Sequence, residues 1–310
     1  MDLSVIIVTF NSSPHIEGCL GSIFGHLEDL DHEVIVVDNG SEDETCGIIE
    51  ERFPEAVLIR NGFNAGFARA NNLALRRARG EFVLLVNPDT AWKKGEVKEA
   101  IRFMKDHPGA GALGCRLLLE DGSRQKSNGN FPTLTRELKE TFGLSRLFPQ
   151  SPWMKGVYLY EDSMYPRSVD WVSGTFFLSD RRLLAEIGFF DERYFMYYED
   201  IDLSRRIRDR RREVYYYPRI EVVHHQKWPV TIDFGESPYI YFTTYFGSHV
   251  AEMLRYILVL KSLLRLVVFF PLVLIGGKRV YREKLLSNYL TLRFHLFQAS
   301  RITKRLRVER

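Results

Sequence analysis

The chain begins with a run of apolar and β-branched residues, Leu3-Ser4-Val5-Ile6-Ile7-Val8, which is typical of a strand covered on both faces. Similar runs follow at residues 33–37, 56–59 and 81–86, and segments with helical spacing of apolar residues lie between the first three. This alternation of strands and helices predicts an α/β fold, Rossmann-like, with a mostly parallel and doubly wound sheet.

Polar residues follow each of these four strands, at the edge where ligands of parallel sheets bind. They are Thr9 and Asn11, Asp38, Asn64 and Arg69, and Asp89. Ordinary turn chemistry accounts for any one of them, but four strands that all end in this way indicate a binding site. The turn after the first strand has Phe10-Asn11-Ser12-Ser13-Pro14 in place of the G-x-G-x-x-G motif that a dinucleotide-binding fold needs there, and no P-loop motif G-x-x-x-x-G-K-[ST] occurs in the sequence. A bound diphosphate would therefore need a divalent cation, for which Asp89 is the natural ligand.

A second feature lies downstream, where the aromatic run Tyr194–Tyr198 precedes Glu199, Asp200 and Asp202. Burial of the aromatic rings would place these acids in a walled pocket. There, desolvation and mutual repulsion raise a carboxyl pKa towards that of a useful general base. The alternative is structural: Asp200 caps a helix, and Asp202 sits in its first turn, where the helix dipole favours negative charge.

Six short motifs occur in one order along roughly residues 3–225: Ser4–Asn11, Val36–Ser41, Asn61–Asn72, Asn87–Asp89, Trp171–Phe177 and Phe189–Leu203. Together they resemble glycosyltransferase family 2 enzymes of the GT-A fold, and within that family the rhamnosyltransferase-like branch. The resemblance implies an inverting transfer of a sugar from a nucleotide diphosphate to a saccharide acceptor.

The resemblance also implies a nucleotide pocket. Asp38 would accept a hydrogen bond from the imide N–H of uracil or thymine, and Gly66 would allow a close backbone approach. The other residues implied to line this pocket are Thr9, Asn11, Arg69 and Asn87.

A metal site follows from the same resemblance. Asp89 and His224 would bind Mg²⁺ or Mn²⁺ against the diphosphate, with the adjacent His225 as the alternative ligand. A histidine pair that bonds only to backbone is the structural alternative. The family's usual Asp-x-Asp has Asn87 in its first position here, so one carboxylate and the nucleotide phosphates would have to hold the cation.

Inverting transfer needs a base that takes the proton of the acceptor hydroxyl as it attacks the anomeric carbon. The resemblance implies that Asp200 is this base and that Glu199 is an alternate or a tuning partner. Asp191, Trp171 and Gly174 would shape the acceptor and donor-sugar side. For Trp171, core packing is the alternative.

The C-terminal region differs in composition. Residues 255–310 contain 13 lysines and arginines but only 2 acidic residues, a balance of +11 in a chain of net charge +3. The apolar stretch Tyr256–Ile275 contains Lys261 and Arg265, and we expect Pro271 to interrupt it. Its uncharged part is about half of the ~20 residues that a membrane span requires. We predict a membrane-associating helical extension that lies on an anionic membrane surface. A buried subdomain, a homodimer interface and a true span are the alternatives.

These observations give one overall prediction. A GT-A catalytic domain occupies residues 1–228, with a nucleotide-binding half at about 1–115 and an acceptor half at about 116–228, and the extension occupies 229–310. Three cysteines without a CxxC pair, and an N-terminus that resembles a strand rather than a signal peptide, favour a cytoplasmic enzyme peripheral to the inner face of the cell membrane. The basic tail contains no motif typical of DNA- or RNA-binding domains, so we do not expect nucleic acid as a partner.

The resemblance favours dTDP-rhamnose as donor and a lipid-linked or cell-envelope saccharide as acceptor. A UDP-hexose donor is the alternative within the same fold. A non-catalytic scaffold that binds a sugar nucleotide during polysaccharide assembly is the alternative from another class of protein.

Overall fold

The computed structural model describes residues 1–159, 162–225, 235–276, 279–299, 302 and 305–306. The chain divides into two compact units, Met1–Phe131 with Glu161–Gln226 and Pro132–Tyr160 with Lys227–Arg310. The predicted domain boundary at residues 228 and 229 lies outside the described residues, as does Lys278 of the basic tail.

The described part of the first unit contains a nine-stranded sheet. Its strands are β1 (Leu3–Thr9), β2 (His32–Asp38), β3 (Val57–Arg60), β4 (Phe82–Val86), β5 (Thr90–Lys94), β6 (Ala110–Leu118), β8 (Arg167–Val169), β10 (Phe176–Asp180) and β11 (Glu213–His224). A separate ribbon pairs β7 (Asn128–Gly129) with β9 (Trp171–Val172).

The strands follow the order β3-β2-β1-β4-β10-β6-β11-β5, and β8 pairs with β11. Strands β1 to β4 pair in parallel, as do β6 and β11. Strands β10, β5 and β8 run antiparallel to their neighbours. The predicted α/β fold with a mostly parallel sheet is therefore confirmed.

Helices accompany the sheet in this unit: α1 (Ile16–Leu27), α2 (Thr45–Arg52), α3 (Phe67–Leu75), α4 (Val97–Asp106), α7 (Arg181–Glu186) and α8 (Glu199–Asp209). Strand β1 lies at the centre of the core, and Val5, Ile6 and Ile7 are fully buried. Burial of each such side chain stabilises the fold by about 1.5–3 kcal/mol. The apolar run at the start of the chain thus fixes the sheet from which the polar loops extend.

One antiparallel pairing brings two distant parts of the chain together. Strand β5 begins directly after Asp89 and pairs with β11, so that Thr90 lies opposite His224. The backbone N–H of His225 then donates to the carbonyl oxygen of Asp89 at 2.7 Å. The end of β11 is therefore held beside the loop that follows β4.

The second unit is helical in its described part. It comprises α5 (Leu134–Thr141), α6 (Leu144–Leu147), a 3-10 turn (Pro152–Met154), α9 (Ser237–Phe246), α10 (Ser248–Gly276) and α11 (Arg279–Phe297). The phenol of Tyr239 on α9 lies 2.7 Å from Nδ1 of His295 on α11. Burial, with the nearby charges of Lys261 and Arg255, lowers the pKa of His295 to about 4. The neutral imidazole is therefore part of the packing between these helices.

Helix α10 is continuous through Pro271, so the predicted interruption at this residue is wrong. A proline removes one backbone hydrogen bond of the helix, but α11 packs along α10 and supports it across this position. Within the described residues, the segment Ser248–Ile275 has the length and apolar composition of a membrane span. Only 6% of its most apolar window is buried inside the protein, so it does not form the core of a buried subdomain.

Candidate active site

The ends of the first two strands place an ionised carboxylate in the centre of the loops. Asp38 is 3% exposed, and its Oδ1 accepts a hydrogen bond from Thr9 Oγ1 at 3.1 Å. Its Oδ2 accepts from the backbone N–H groups of Gly40 and Ser41 at 3.2 and 3.0 Å. Burial raises the pKa of Asp38, but these donors and the Cys46 thiol outweigh it and hold the pKa below its usual value.

Asn11 connects the first two loops. Its backbone adopts a positive φ of 52°, its N–H donates to Ser41 Oγ at 2.8 Å, and its side-chain oxygen accepts from Glu42 N at 2.9 Å. The predicted nucleotide contact of this residue thus competes with a role in fixing the loop.

Asparagine side chains connect the second and third loops, a feature that sequence reasoning missed. Asn61 Nδ2 donates to Asn39 Oδ1 at 2.9 Å, and Asn39 Nδ2 donates to the carbonyl of Gly66 at 3.2 Å. Asn64 Oδ1 accepts from the N–H of Gly66 at 3.0 Å. The only sequence signal is an asparagine just after each strand, which also fits an ordinary turn.

Gly66 is the point where these loops meet the aromatic run. Its φ is +83°, and a Cβ at this position would lie 2.5 Å from the carbonyl oxygen of Phe195. The N–H of Phe67 donates to the same oxygen at 2.7 Å. The close approach at Gly66 is therefore made by Phe195. Arg69, one turn further along α3, is largely exposed, and its Nε lies 3.8 Å from Glu192 Oε2.

Asp89 and His224 lie side by side, as the pairing of β5 with β11 requires. Asp89 Oδ1 is 3.1 Å from His224 Nε2, and His224 Nδ1 is 2.9 Å from Gln125 Oε1. Because an amide oxygen only accepts, Nδ1 of His224 is the donor to Gln125. Burial raises the pKa of Asp89, but the hydrogen bond and charge of His224 outweigh it and lower the pKa. Gln125, which orients the imidazole, carried no signal in the sequence.

The alternative histidine has other contacts. His225 Nδ1 lies 2.9 Å from Glu120 Oε1, and its ring stacks on that of His15 with centroids 5.3 Å apart. The side chain of His225 therefore contacts Glu120 and His15, whereas the imidazole of His224 is the one that lies within hydrogen-bonding distance of Asp89.

The residues near Asp89 offer few ligands for a divalent cation. Across the described ranges, no group of three or more His, Cys, Asp or Glu side chains is arranged to hold a metal ion. The available donors are Asp89, His224 and the side-chain oxygen of Asn87, which is buried and has no hydrogen-bond partner. Mg²⁺ and Mn²⁺ prefer oxygen donors and accept phosphate and water in the remaining positions. The set fits a cation that binds together with a diphosphate.

The acidic segment begins helix α8. Tyr197 and Tyr198, which precede Glu199, both have a φ of 67°, a left-handed conformation that costs about 1–3 kcal/mol per residue and often occurs at functional sites. The helix starts at Glu199, with Tyr198 in the cap position. Asp200 thus lies in the first turn and does not cap the helix.

Asp200 and Glu199 have different surroundings. Asp200 Oδ2 accepts from the N–H of Gly174 at 3.0 Å, and its Oδ1 accepts from the N–H of Ile201 at 2.8 Å. Glu199 is 5% exposed, and its Oε2 is buried without a hydrogen-bond partner.

Burial raises the pKa of both carboxyls, and the charges of Asp200 and Asp202 raise that of Glu199 well above its usual value. The N–H donors favour the ionised form of Asp200. Within this pair we therefore place the proton on Glu199 and the negative charge on Asp200.

Gly174 and Thr175 connect the acidic segment to the Asp89 loop. The backbone N–H of Asn87 donates to the carbonyl of Thr175 at 3.1 Å, and the preceding Gly174 donates to Asp200. Burial and then the charges of Glu199 and Asp89 raise the pKa of Tyr197, so this phenol lies near both acidic loops. The structure thus brings the predicted metal and base residues to one region.

Two predicted residues have structural contacts. Trp171 is 4% exposed, and its indole N–H donates to the carbonyl of Asn130 at 3.0 Å, which favours the alternative of core packing. Asp191 accepts bonds of 2.9 and 2.6 Å from Nε and Nη2 of Arg193. Burial raises the pKa of Asp191, but Arg193 lowers it below its usual value. Gly174 lies against Asp200, where an added Cβ would be 3.6 Å from the Asp200 Cβ.

Comparison with known proteins gives one family. The sequence model of Glycosyl transferase family 2 matches residues 4–188. The chain is 33% identical over 235 residues to the N-acetylglucosaminyl-diphospho-decaprenol L-rhamnosyltransferase of Mycobacterium tuberculosis. The aligned region covers 72% of this chain and 76% of that protein. It is 26% identical over 229 residues to rhamnosyltransferase WbbL of Escherichia coli K12, with 71% of this chain and 82% of that protein covered.

Among solved structures, the chain is similar to GalNAc-T7 with UDP, GalNAc and Mn²⁺, with a TM-score of 0.55 and 14% identity. The match covers 73% of this chain and 44% of that longer protein, and at this identity it shows the fold alone. The GT-A-like fold expected from the sequence is confirmed.

The protonated state of Glu199 predicts an effect of pH on stability. Its folded-state pKa is raised, so its contribution to stability is fully present below the unfolded pKa of about 4.3 and is lost as the pH rises through the folded pKa. Glu199→Gln keeps the shape but cannot ionise. We expect the variant to lose less thermal stability than the wild type between pH 5 and pH 8, as measured by calorimetric melting. Glu51→Gln, an exposed position on α2, is the matched control. Parallel pH curves for wild type and Glu199→Gln would contradict the assignment of the proton.

Proposed function

Since this chain belongs to glycosyl transferase family 2 and is a glycosyltransferase, we propose that it transfers a sugar from a nucleotide diphosphate to a hydroxyl of a lipid-linked saccharide, with inversion. The observation that carries this proposal is the linkage of three acids. The Asp38 loop is joined to the aromatic run by the bond from Asn39 to Gly66 and the bond from Phe67 to Phe195. The Asp89 loop is joined to Asp200 by the bond from Asn87 to Thr175 and the bond from Gly174 to Asp200.

On the donor side, Asp38 accepts the imide N–H of a pyrimidine base. Asp89, His224 and the side-chain oxygen of Asn87 would hold Mg²⁺ or Mn²⁺. When bound, the cation neutralises the diphosphate and so stabilises it as a leaving group. The buried and unpartnered oxygen of Asn87 supports a ligand at this point, since buried acceptors are normally hydrogen-bonded.

On the acceptor side, Asp200 takes the proton of the attacking hydroxyl. The hydroxyl oxygen forms the new bond to the anomeric carbon, and the bond between that carbon and the diphosphate oxygen breaks. Gly174 and Ile201 hold the carboxylate of Asp200 in position through their N–H groups. A protonated Glu199 leaves a single negative charge on the pair, which keeps Asp200 available as the base.

We propose rhamnose from dTDP-rhamnose as the donor, supported by two relatives that are named as rhamnosyltransferases. A UDP-hexose is the second candidate, because Asp38 binds an N–H that thymine and uracil share. A non-catalytic scaffold is less well supported, because a scaffold that only binds a sugar nucleotide needs no acidic pair at Glu199 and Asp200 beside the Asp89 loop.

We further propose that the second unit lies on the anionic inner face of the cell membrane, which makes the protein a peripheral enzyme. Helix α10 exposes many large apolar side chains, among them Val267 at 73% and Ile275 at 87%. Such a surface exceeds the apolar patches that soluble monomers normally leave in water. The basic residues of the same region would add about 1 kcal/mol each near anionic lipid.

Binding to vesicles tests the membrane proposal. The full chain is expected to float with vesicles that contain phosphatidylglycerol, more strongly at low salt, because lipid charge and apolar burial both contribute. Vesicles of phosphatidylcholine alone should bind it more weakly. A chain that stays in the soluble fraction with anionic vesicles at low salt would contradict the proposal.

A conservative change of the base tests the catalytic proposal. Asp200→Asn keeps the bond from Gly174 but cannot take a proton, so we expect transfer to fall by about 10²- to 10⁴-fold. Nucleotide binding, measured by calorimetry, should be retained. Asp209→Asn, at the exposed end of the same helix, is the matched control. Transfer by Asp200→Asn at the level of this control would rule out Asp200 as the base.

A further inference from the structure

A cavity of about 580 Å³ lies between helices α10 and α11 of the second unit. It is lined by Leu266, Val267, Phe270, Arg282, Leu285, Leu286 and Tyr289. The volume falls within the ~300–1000 Å³ typical of small-molecule sites. The lining residues of each helix recur at spacings of three and four, so each helix contributes one face to the cavity. We call this cavity the interhelical groove.

The interhelical groove is open to its surroundings. Val267 is 73% exposed, Phe270 57%, and Leu286 and Tyr289 53% each. These side chains lie on the same two helices as the apolar surface proposed to contact lipid. An occupant with a hydrocarbon chain would therefore reach the groove from within the lipid layer, without crossing water.

One end of the lining is cationic. Arg282 is the charged residue of the lining, and within the described residues it forms no ion pair or hydrogen bond. A guanidinium binds phosphate with two parallel N–H donors, so the charge pattern fits a phosphate at the end of an apolar chain.

We infer that the interhelical groove binds one chain of a prenyl phosphate, with the hydrocarbon against Val267, Phe270 and Leu286 and the phosphate on Arg282. The inference deepens the proposed function, on which it rests: the occupant is the lipid carrier of the saccharide acceptor. The groove would hold that carrier by its lipid while the hydroxyl group reacts elsewhere. None of its residues belongs to the nucleotide or base site.

Binding of a fluorescent farnesyl monophosphate to the full chain in detergent, measured by anisotropy, tests this inference. Val267→Trp fills the groove and is expected to weaken binding at least about tenfold. Val268→Trp is the matched control, because Val268 is 56% exposed on the same helix but does not line the groove. It should bind as the wild type does. Circular dichroism confirms that both variants fold.

The phosphate contact is tested separately. Arg282→Gln should weaken binding of the monophosphate at least about tenfold, as expected for the loss of a charge-assisted contact with two N–H donors, and leave binding of the matching farnesol derivative unchanged. Arg293→Gln removes one exposed charge from α11 outside the groove and should have no such effect.

Equal binding by the two tryptophan variants, or equal losses for phosphate and alcohol in Arg282→Gln, would overturn the assignment. A wild-type dimer that Val267→Trp dissociates, with probe binding unchanged, would instead identify the groove as a contact between two copies. The binding readout needs no transfer. Failure of the proposed function would therefore appear separately, as a chain that binds the probe but transfers no sugar.

Discussion

The hydrogen bond from the N–H of Phe67 to the carbonyl of Phe195 joins the two halves of the candidate site. It exists because residue 66 has no side chain, since a Cβ there would lie 2.5 Å from the carbonyl oxygen of Phe195. On one side of this contact, asparagine side chains fix the loops that surround Asp38. On the other side, the backbone continues through two strained tyrosines to Glu199 and Asp200. The distance between Asp38 and Asp200 therefore depends on this backbone contact.

Electrostatics assign different roles to carboxylates of the same chemical type. Asp38 and Asp89 are buried or partly buried, but hydrogen-bond donors keep them ionised. Glu199 has no such donors on Oε2 and holds its proton. The surroundings of Asp200 are intermediate between those of the ionised Asp38 and Asp89 and that of the protonated Glu199: it is buried, but it has two N–H donors and a protonated neighbour. This fixed position, ionised state and raised pKa are the reasons why Asp200 is the proposed base.

The sequence predicted much of the sheet and the polar loops at its edge, because apolar runs and turn residues are local signals. The contact of His224 with Asp89 depends on the antiparallel pairing of β5 with β11, which no local pattern specifies. The partner of Gly66 and the role of Gln125 are likewise long-range. Pro271 was expected on local grounds to interrupt the apolar stretch Tyr256–Ile275, but α10 is continuous through it and packs against α11. Trp171 lies in a matching motif, yet its burial alone explains its identity.

In the proposed function, a cation on Asp89 holds a nucleoside diphosphate at the strand ends. Calorimetric titration of UDP and of dTDP, with Mn²⁺ and with EDTA, tests it most directly when wild type is compared with Asp89→Asn. The exposed Asp106→Asn is the control. We predict that Mn²⁺ tightens nucleotide binding to wild type and control by more than about tenfold and that Asp89→Asn loses this gain. If Mn²⁺ tightens nucleotide binding to Asp89→Asn as much as it does to wild type, a cation held by Asp89 is ruled out.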